Sequence, residues 1–447
     1  MPQAEDDLSS ISCMEQFIVS WLLEIIGSRM DFRQYGGMKG NSICHYLIEF
    51  INFILYHQES ESTAVLACLI DFSKAFNRQD HSILITKLSD LGVPGWLLKL
   101  VIAFLQDRKM KVKYKGKYSK IFSLPGGGPQ GTLLGLFLFL VLINDLGFED
   151  QVNNAGDLIT SKKKVKEMNT IHLTYVDDFS VAESVKLTSQ LESVPVNERP
   201  QPDMYRSRTG HQLRPEGSKV IEQLQKTQAY AKENKMKLNL KKTSLMLFNP
   251  SRTKDFMPEI EIEGTRIDLV EKTKLLGVIL TSDLSWSANT DHIVQRCNSK
   301  TWVLRRLKKL GASHEDLLDV YCKQIRSIAE FAVPVWNSNL TGEDIGRIER
   351  LQKIAFHIIL AEDYVSYNSA LKTLGLEKLS ERRRKLCLTF GKKALKHSKF
   401  SKWFKPTTKK WSRVKQLKFC KVLCRTVRFE KSPLSYLTNL LNKQYEK

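Results

Sequence analysis

Three aspartates occupy positions that solubility alone would not select. Asp177 and Asp178 are adjacent within His172–Val181, HLTYVDDFSV, where apolar residues flank them on both sides. Asp71 ends a second apolar run, Thr63–Ile70, TAVLACLI. Carboxylates on buried strands lose hydration and repel one another. If the two strands are neighbours in one sheet, the three groups converge and cations must relieve the repulsion. Two Mg²⁺ ions about 3.5–4 Å apart would do so, and such a pair activates the attacking oxygen and steadies the leaving one in phosphoryl or nucleotidyl transfer. Taken singly, Asp71 serves equally well as a helix N-cap before FSKAF, and Asp177–Asp178 as an ordinary hairpin turn.

The elements that must hold these residues can be read from the pattern. Residues 63–70 are β-branched and apolar enough for a fully buried strand. Residues on either side of Tyr175–Val176 read as strand, turn, strand. Leu133–Ile143, eleven apolar residues, reads as a buried helix and is too short to span a bilayer. It follows SLPGGGPQGTLLG, whose glycines let backbone approach a ligand and whose helix N-terminus offers free N–H groups to phosphate. A P-loop is excluded there because the Gly-Lys-Ser/Thr ending is missing. Residues 13–57 read as helical, with a turn at Gly36, Gly37 and Gly40, and Ser82–Leu105 as helical with a break at Gly92, Pro94 and Gly95. Lys109–Phe122, KMKVKYKGKYSKIF, alternates basic with apolar or aromatic residues about Gly116, as a hairpin with one wet, cationic face would. Residues 184–218, with several prolines and little periodicity, read as a surface insertion. Beyond Asp291 apolar residues recur at helical spacing, as in Leu318, Tyr321, Ile325, Ile328 and in Ile345, Ile348, Leu351, Ala355, Ile358.

The chain of 447 residues carries a net charge of +21, and the distribution is uneven. From Thr301 onward, 32 Lys and Arg minus 13 Asp and Glu give +19, leaving +2 for the first 300 residues. Glu381–Glu430 alone holds 18 basic and 2 acidic residues. Such a surface favours polyanions, with nucleic acid first and anionic membrane second. The eight cysteines are scattered, which argues against a zinc site or disulfide framework and for a reducing, cytoplasmic or nuclear setting. MPQAEDDLSS is no signal peptide. SKKKVK at 161–166 reads either as a solvated loop or as a nuclear-import patch.

In this order, LACLIDFSKAF, SLPGGGPQGTLLG and HLTYVDDFSV resemble motifs of reverse transcriptases, most closely those of non-LTR (LINE-like, Jockey-type) retrotransposons. KMKLNLKKTSLMLF from Lys235 and KLLGVILTSDLSW from Lys274 resemble the next strands of the family's palm and its primer-grip turn. Upstream, DFRQYGGMKGNS from Asp31 resembles part of the fingers. The resemblance runs from roughly Cys13 to Asn442. It implies an α/β (α+β) right-hand polymerase with an antiparallel palm sheet, a helical thumb and a basic C-terminal region. The implied divisions are partial fingers 1–62, palm 63–79, fingers 80–124, palm 125–290 with the insertion at 184–218, thumb 291–380 and C-terminal region 381–447.

The resemblance also implies roles. Asp71, Asp177 and Asp178 match the catalytic, metal-binding carboxylates, with the Phe72 carbonyl beside the second of two Mg²⁺ ions. Phe76, five positions after Asp71, matches the bulky side chain under the nucleotide sugar that excludes a 2′-hydroxyl and so favours dNTPs. Gln130 and Gly131 match the PQG that packs against the templating pair and incoming dNTP. Lys242 matches a lysine placed to protonate the departing pyrophosphate, with Lys241 beside it, and Lys39 and Arg33 are candidates for the triphosphate. Partners are then an RNA template, a DNA primer and dNTPs, with no membrane. The basic helices beyond Thr301, interleaved with Trp302, Trp403, Phe404 and Trp411, suit a surface tracking a template–primer duplex, although those aromatics suit a core equally. Leu136 departs from the proline common in the family. The match begins inside the fingers, without a preceding endonuclease or a CCHC zinc knuckle, so a shortened copy is expected. The activity implied is RNA-directed DNA polymerisation. The alternatives are an inert nucleic-acid-binding relic and an RNA-dependent RNA polymerase, the latter disfavoured by Phe76 and by YVDD rather than GDD.

Overall fold

The apolar run ending at Asp71 is a strand, β1 (Thr63–Ile70), and it lies inside a six-stranded sheet. A computed structural model describes residues 3–60, 63–124, 126–146, 169–186, 218–249, 260–407 and 418–445. SKKKVK, Trp411 and most of the 184–218 stretch fall outside the described residues. On one side β1 pairs with β7 (Asp178–Lys186), which pairs in turn with β6 (Thr170–Tyr175). On the other side it pairs with β8 (Ser244–Phe248), followed by β10 (Thr265–Leu269) and β9 (Ile260–Ile262). The pairs are antiparallel except β8 with β10, which run parallel.

Side chains along β1 alternate between two cores, as strand pleating requires. Val65 and Ala67 face one, while Leu66, Cys68 and Ile70 face the other. Both faces are buried, which is why the strand is apolar throughout instead of alternating. The second core is closed by α1 (Gln3–Ile26), α3 (His81–Asp90), α4 (Gly95–Leu105), α5 (Leu133–Leu142) and the helix Lys219–Glu233. α5 reads LLGLFLFLVL and is buried nearly all round. Each Leu or Phe removed from water there is worth about 1.5–3 kcal/mol.

The first core joins α2 (Ile43–His57) to helices from the far end of the chain, among them Gly342–Leu360, Leu379–Lys396 and Pro433–Tyr445. The Glu59 carboxylate just after α2 accepts hydrogen bonds from the backbone N–H groups of Arg425 and Thr426. Trp403 and Phe404 are 5% and 2% exposed and belong to this core. They therefore offer no rings to a bound duplex, whereas Trp302 is 63% exposed. Between the sheet and the last helices, β11 (Lys272–Leu275) and β12 (Val278–Thr281) form a separate hairpin about Leu276–Gly277.

The basic segment after α4 is a hairpin. Its outer ladder is β2 (Lys109–Met110) with β5 (Phe122–Ser123), and its inner one β3 (Lys113–Tyr114) with β4 (Lys117–Tyr118). The expectation of one wet face is corrected here, because every residue from Lys109 to Ser123 is exposed. Among the described residues no element covers its apolar side, and Tyr114, Tyr118, Ile121 and Phe122 are exposed beside the lysines. Among the described residues no helix is long and apolar enough to cross a membrane.

Candidate active site

The register of the sheet brings the three aspartates together. Ile70 pairs with Phe179 across β1 and β7, and one further step along the ladder sets Asp71 opposite Asp178. Residues so opposed lie about 4.5–5.5 Å apart at Cα. Asp178 closes a two-residue turn with Tyr175, and Asp177 is in that turn. All three carboxylates are half-buried at one rim of the sheet. Asp71 is not a helix cap, since the short 3-10 turn Ala75–Arg78 starts after Lys74.

β1 is continued beyond Asp71 by a single antiparallel bridge from Phe72 to Leu238. There the Ser73 N–H donates to the Lys237 carbonyl and the Asn239 N–H to the Asp71 carbonyl, both at 2.7 Å. Phe72 thus holds the non-hydrogen-bonded place in the bridge, and its own carbonyl turns away from Leu238, toward the β7 side. The turn Asn239–Thr243 sits against the end of β1, and Lys241 and Lys242 project from it into solvent.

Proximity shows in the ionisation of the pair. Burial, then the neighbouring Asp177 and Asp71 charges, pushes the Asp178 carboxyl from its ordinary 3.8 up to about 6. Burial and the Asp71 charge also raise Asp177. Among the described residues no three acidic, His or Cys side chains are already gathered closely enough to hold an ion unaided. The donor set still fits Mg²⁺ in kind: carboxylate oxygens and one backbone carbonyl, all hard ligands, in a place where negative charge is under-compensated.

The sign of this effect gives a stability prediction. A carboxyl whose folded-state value is raised favours its protonated form in the fold, so its contribution is full below about pH 4 and is lost as the pH rises through about 6. The shift corresponds to ~3 kcal/mol unscreened and to about 1 kcal/mol for a group this open to water. In EDTA at pH 8, Asp178→Asn is therefore expected to melt higher than the parent, and the difference should vanish near pH 4. Thermal melts across that range check it, and a lower melting point at pH 8 would contradict the crowding of charge described here.

The glycine-rich loop packs against the segment that follows Asp71. The N–H of Gly128 donates to the Phe76 carbonyl at 2.7 Å and that of Gly127 to the Gln79 carbonyl at 3.0 Å. A Cβ on Gly128 would lie 2.0 Å from Gln79 Oε1, so any larger residue would have to push the buried Gln79 side chain aside. Arg108 Nη2 donates to the Gly126 carbonyl at 2.7 Å, and His81 Nε2 lies 2.9 Å from the Gly127 carbonyl. Beyond the loop, Gln130 and Gly131 are exposed just before α5, whose N-cap Thr132 accepts from the Gly135 N–H. Phe76 is half-buried and stacks on Phe139 of α5 with ring centroids 4.7 Å apart.

The structure thus assembles Asp71, Phe72, Asp177 and Asp178, and links Phe76 to the loop before Gln130 and Gly131. Lys39 is exposed, and Arg33 is engaged by Asp31 at 2.9 Å. Gln79, His81 and Arg108, which pin the glycine loop, had no sequence signal, because each acts across a gap in the chain that only folding closes.

Comparison with known proteins identifies the family. A profile of the family described as reverse transcriptase (RNA-dependent DNA polymerase) matches residues 9–280. The probable RNA-directed DNA polymerase from transposon BS of Drosophila melanogaster is 24% identical over 359 residues, 79% of this chain and 35% of that protein. The RNA-directed DNA polymerase from mobile element jockey of the same organism is 26% identical over 304 residues, 67% of this chain and 29% of that protein. The chain spans about a third of the length of these relatives. Among solved structures, apo telomerase from Candida tropicalis is 13% identical over 86% of this chain and 54% of that one, with a TM-score of 0.40, too loose a likeness to carry an argument. With the match running through the β1 aspartate, the glycine loop and the turn between β6 and β7, the chain belongs to the reverse transcriptase (RNA-dependent DNA polymerase) family.

Proposed function

We propose that the chain is the RNA-directed DNA polymerase of a non-LTR retrotransposon, extending a DNA primer on an RNA template from dNTPs. The observation that carries this reading is the β1–β7 register, which faces Asp71 with the Asp177–Asp178 turn. In this reading β1, β6, β7 and β8 belong to the palm, residues 80–124 to the fingers, the helices of residues 291–380 to the thumb, and residues 381–447 to the basic C-terminal region. Asp71, Asp177, Asp178 and the Phe72 carbonyl would hold two Mg²⁺ ions. When bound, such ions supply Lewis acidity to the primer 3′-oxygen and to the oxygen leaving with pyrophosphate.

The protein's own residues do the remaining work. The primer 3′-hydroxyl gives its proton to solvent as its oxygen bonds to the α-phosphorus, the bond from that phosphorus to the β-phosphate oxygen breaks, and pyrophosphate departs. In this reading Lys242, on the exposed turn next to β1, gives it a proton. In this reading Phe76, backed by Phe139, is the wall that a ribose 2′-hydroxyl would meet. Gln130 and Gly131 present backbone and amide to the nascent pair. The test is primer extension by purified protein on an RNA template with Mg²⁺ and dNTPs. Salt-dependent nucleic-acid binding without any incorporation would overturn the enzymatic reading and leave the inert one.

The exposed hairpin supports a polyanionic partner. Six lysines lie between Lys109 and Lys120 with no acidic residue among them, and Lys111 and Lys113 sit over the Tyr118 ring. Each phosphate contact contributes about 0.7–0.9 to the slope of log affinity against log salt. Replacing Lys111, Lys113 and Lys115 together by alanine is expected to lower that slope by about 2, as read by anisotropy titration of a labelled template–primer. An unchanged slope would remove the hairpin from the interface.

A further inference from the structure

The turn that carries the aspartates is held in an unfavourable shape. Val176 has φ 59°, while Asp177 is not among the residues with positive φ. A two-residue hairpin loop positive at its first central residue alone is type II′, a place usually taken by glycine. A β-branched side chain there is strained and persists only where its surroundings impose it.

Those surroundings are residues Arg33–Gly36. The Tyr35 N–H donates to the Thr174 carbonyl at 2.8 Å and the Thr174 N–H to the Arg33 carbonyl at 3.0 Å, so this short segment lies along β6. Gln34, 5% exposed, reaches past it into the turn. Its Oε1 accepts from the Val176 N–H and the Gly36 N–H, each at 2.9 Å, and its Nε2 lies 3.5 Å from the Val176 carbonyl. The approach is close enough that a Cβ on Gly36 would sit 2.6 Å from the Val176 nitrogen. The segment is itself backed from the far end of the chain: Lys399 Nζ donates to the Phe32 carbonyl and lies 3.6 Å from the Tyr35 ring centroid.

We infer that Gln34 is the positioning residue of the catalytic turn: by holding the peptide unit of Val176, it sets the direction in which Asp177 and Asp178 leave the backbone. This rests on the polymerase reading of those aspartates. A residue that orients a metal ligand from behind controls affinity and turnover together, typically by 10–100-fold. One that only fills space would change neither once the fold is intact.

The test compares Gln34→Met, of similar length but without the acceptor, with Gln34→Glu, which keeps an acceptor oxygen in the place of Oε1. Mn²⁺ affinity is read by the paramagnetic signal of the free ion, and single-nucleotide incorporation by primer extension. Gln34→Met is expected to bind Mn²⁺ about 10-fold more weakly and to lower kcat by about 10²-fold, with KM for dNTP and affinity for template–primer unchanged. Gln34→Glu should recover most of the turnover. If Gln34→Met does not fold, Gly36→Ala, which presses on the Val176 nitrogen from the same side, should give the same loss of Mn²⁺ affinity. Mn²⁺ bound equally by parent and variant, or by neither, overturns the inference. A parent that binds Mn²⁺ tightly but extends no primer sinks the polymerase reading instead, and the Mn²⁺ comparison still decides the role of Gln34.

Discussion

Asp177→Asn is expected to reduce primer extension by about 10³-fold or more, with no loss of fold. The magnitude follows from what the carboxylate would hold. A Lewis-acid cation at a transferring phosphoryl group is worth several kcal/mol of barrier, and each 1.36 kcal/mol is a factor of ten. Asparagine keeps the shape and one oxygen but gives up the charge that retains the ion. Stability should not suffer, because burial and the Asp71 charge already raise the Asp177 carboxyl, so neutralising it relieves strain in the unliganded protein. The variant is thus expected to melt no lower than the parent in EDTA and to bind template–primer equally well. Extension within ten-fold of the parent would refute the role given to this carboxylate. A variant that has lost both extension and its melting transition would only report unfolding, which is why the melt belongs in the same experiment.

What could be read before folding was the composition of each element, and what could not was its neighbours. β1 spans residues 63–70 as expected, because seven apolar residues after the β-branched Thr63, closed by Asp71, leave little choice of boundary. α5 was legible for the same reason. That β1 would lie between β7 and β8 is a statement about pairing partners more than 100 residues away, and only the order of the motifs hinted at it. The Lys109–Phe122 alternation is the same whether its apolar side is covered or bare, so the pattern gave a hairpin but the wrong account of its second face. Trp403 and Phe404 lie among lysines, and charge density alone would put them outside. They are buried because Phe400 and Phe419 pack beside them. Arg383 makes the same point from the other side: in the helix Leu379–Lys396 it shares a buried face with Leu379, Cys387 and Ala394, its Nε donating to Asn337 Oδ1. A count of basic residues cannot tell that arginine from its solvated neighbours.

Phe76→Ala should cut the preference for dNTP over rNTP by about 10²-fold, measured as the ratio of kcat/KM for a matched pair such as dCTP and CTP. An apolar wall can reject a substrate that merely adds a hydroxyl by roughly that factor and no more, because the penalty is steric crowding without an unmet hydrogen bond. The structure gives Phe76 the stiffness such a wall needs. Its ring stacks on Phe139 at 4.7 Å and its carbonyl accepts from the Gly128 N–H, so neither ring nor backbone can swing aside at low cost. Phe76→Tyr keeps the ring and should keep the preference. Phe76→Ala also removes the partner of Phe139, so some thermal stability is lost, and the ratio of the two substrates is the safer readout because instability lowers both rates alike. The gain should appear chiefly as faster rCTP incorporation with dCTP turnover nearly unchanged. If the alanine variant still prefers dCTP as strongly as the parent, sugar selection lies with some residue other than Phe76, and the stacked pair is then a joint between the β1 end and α5 that keeps the glycine loop in register with Asp71.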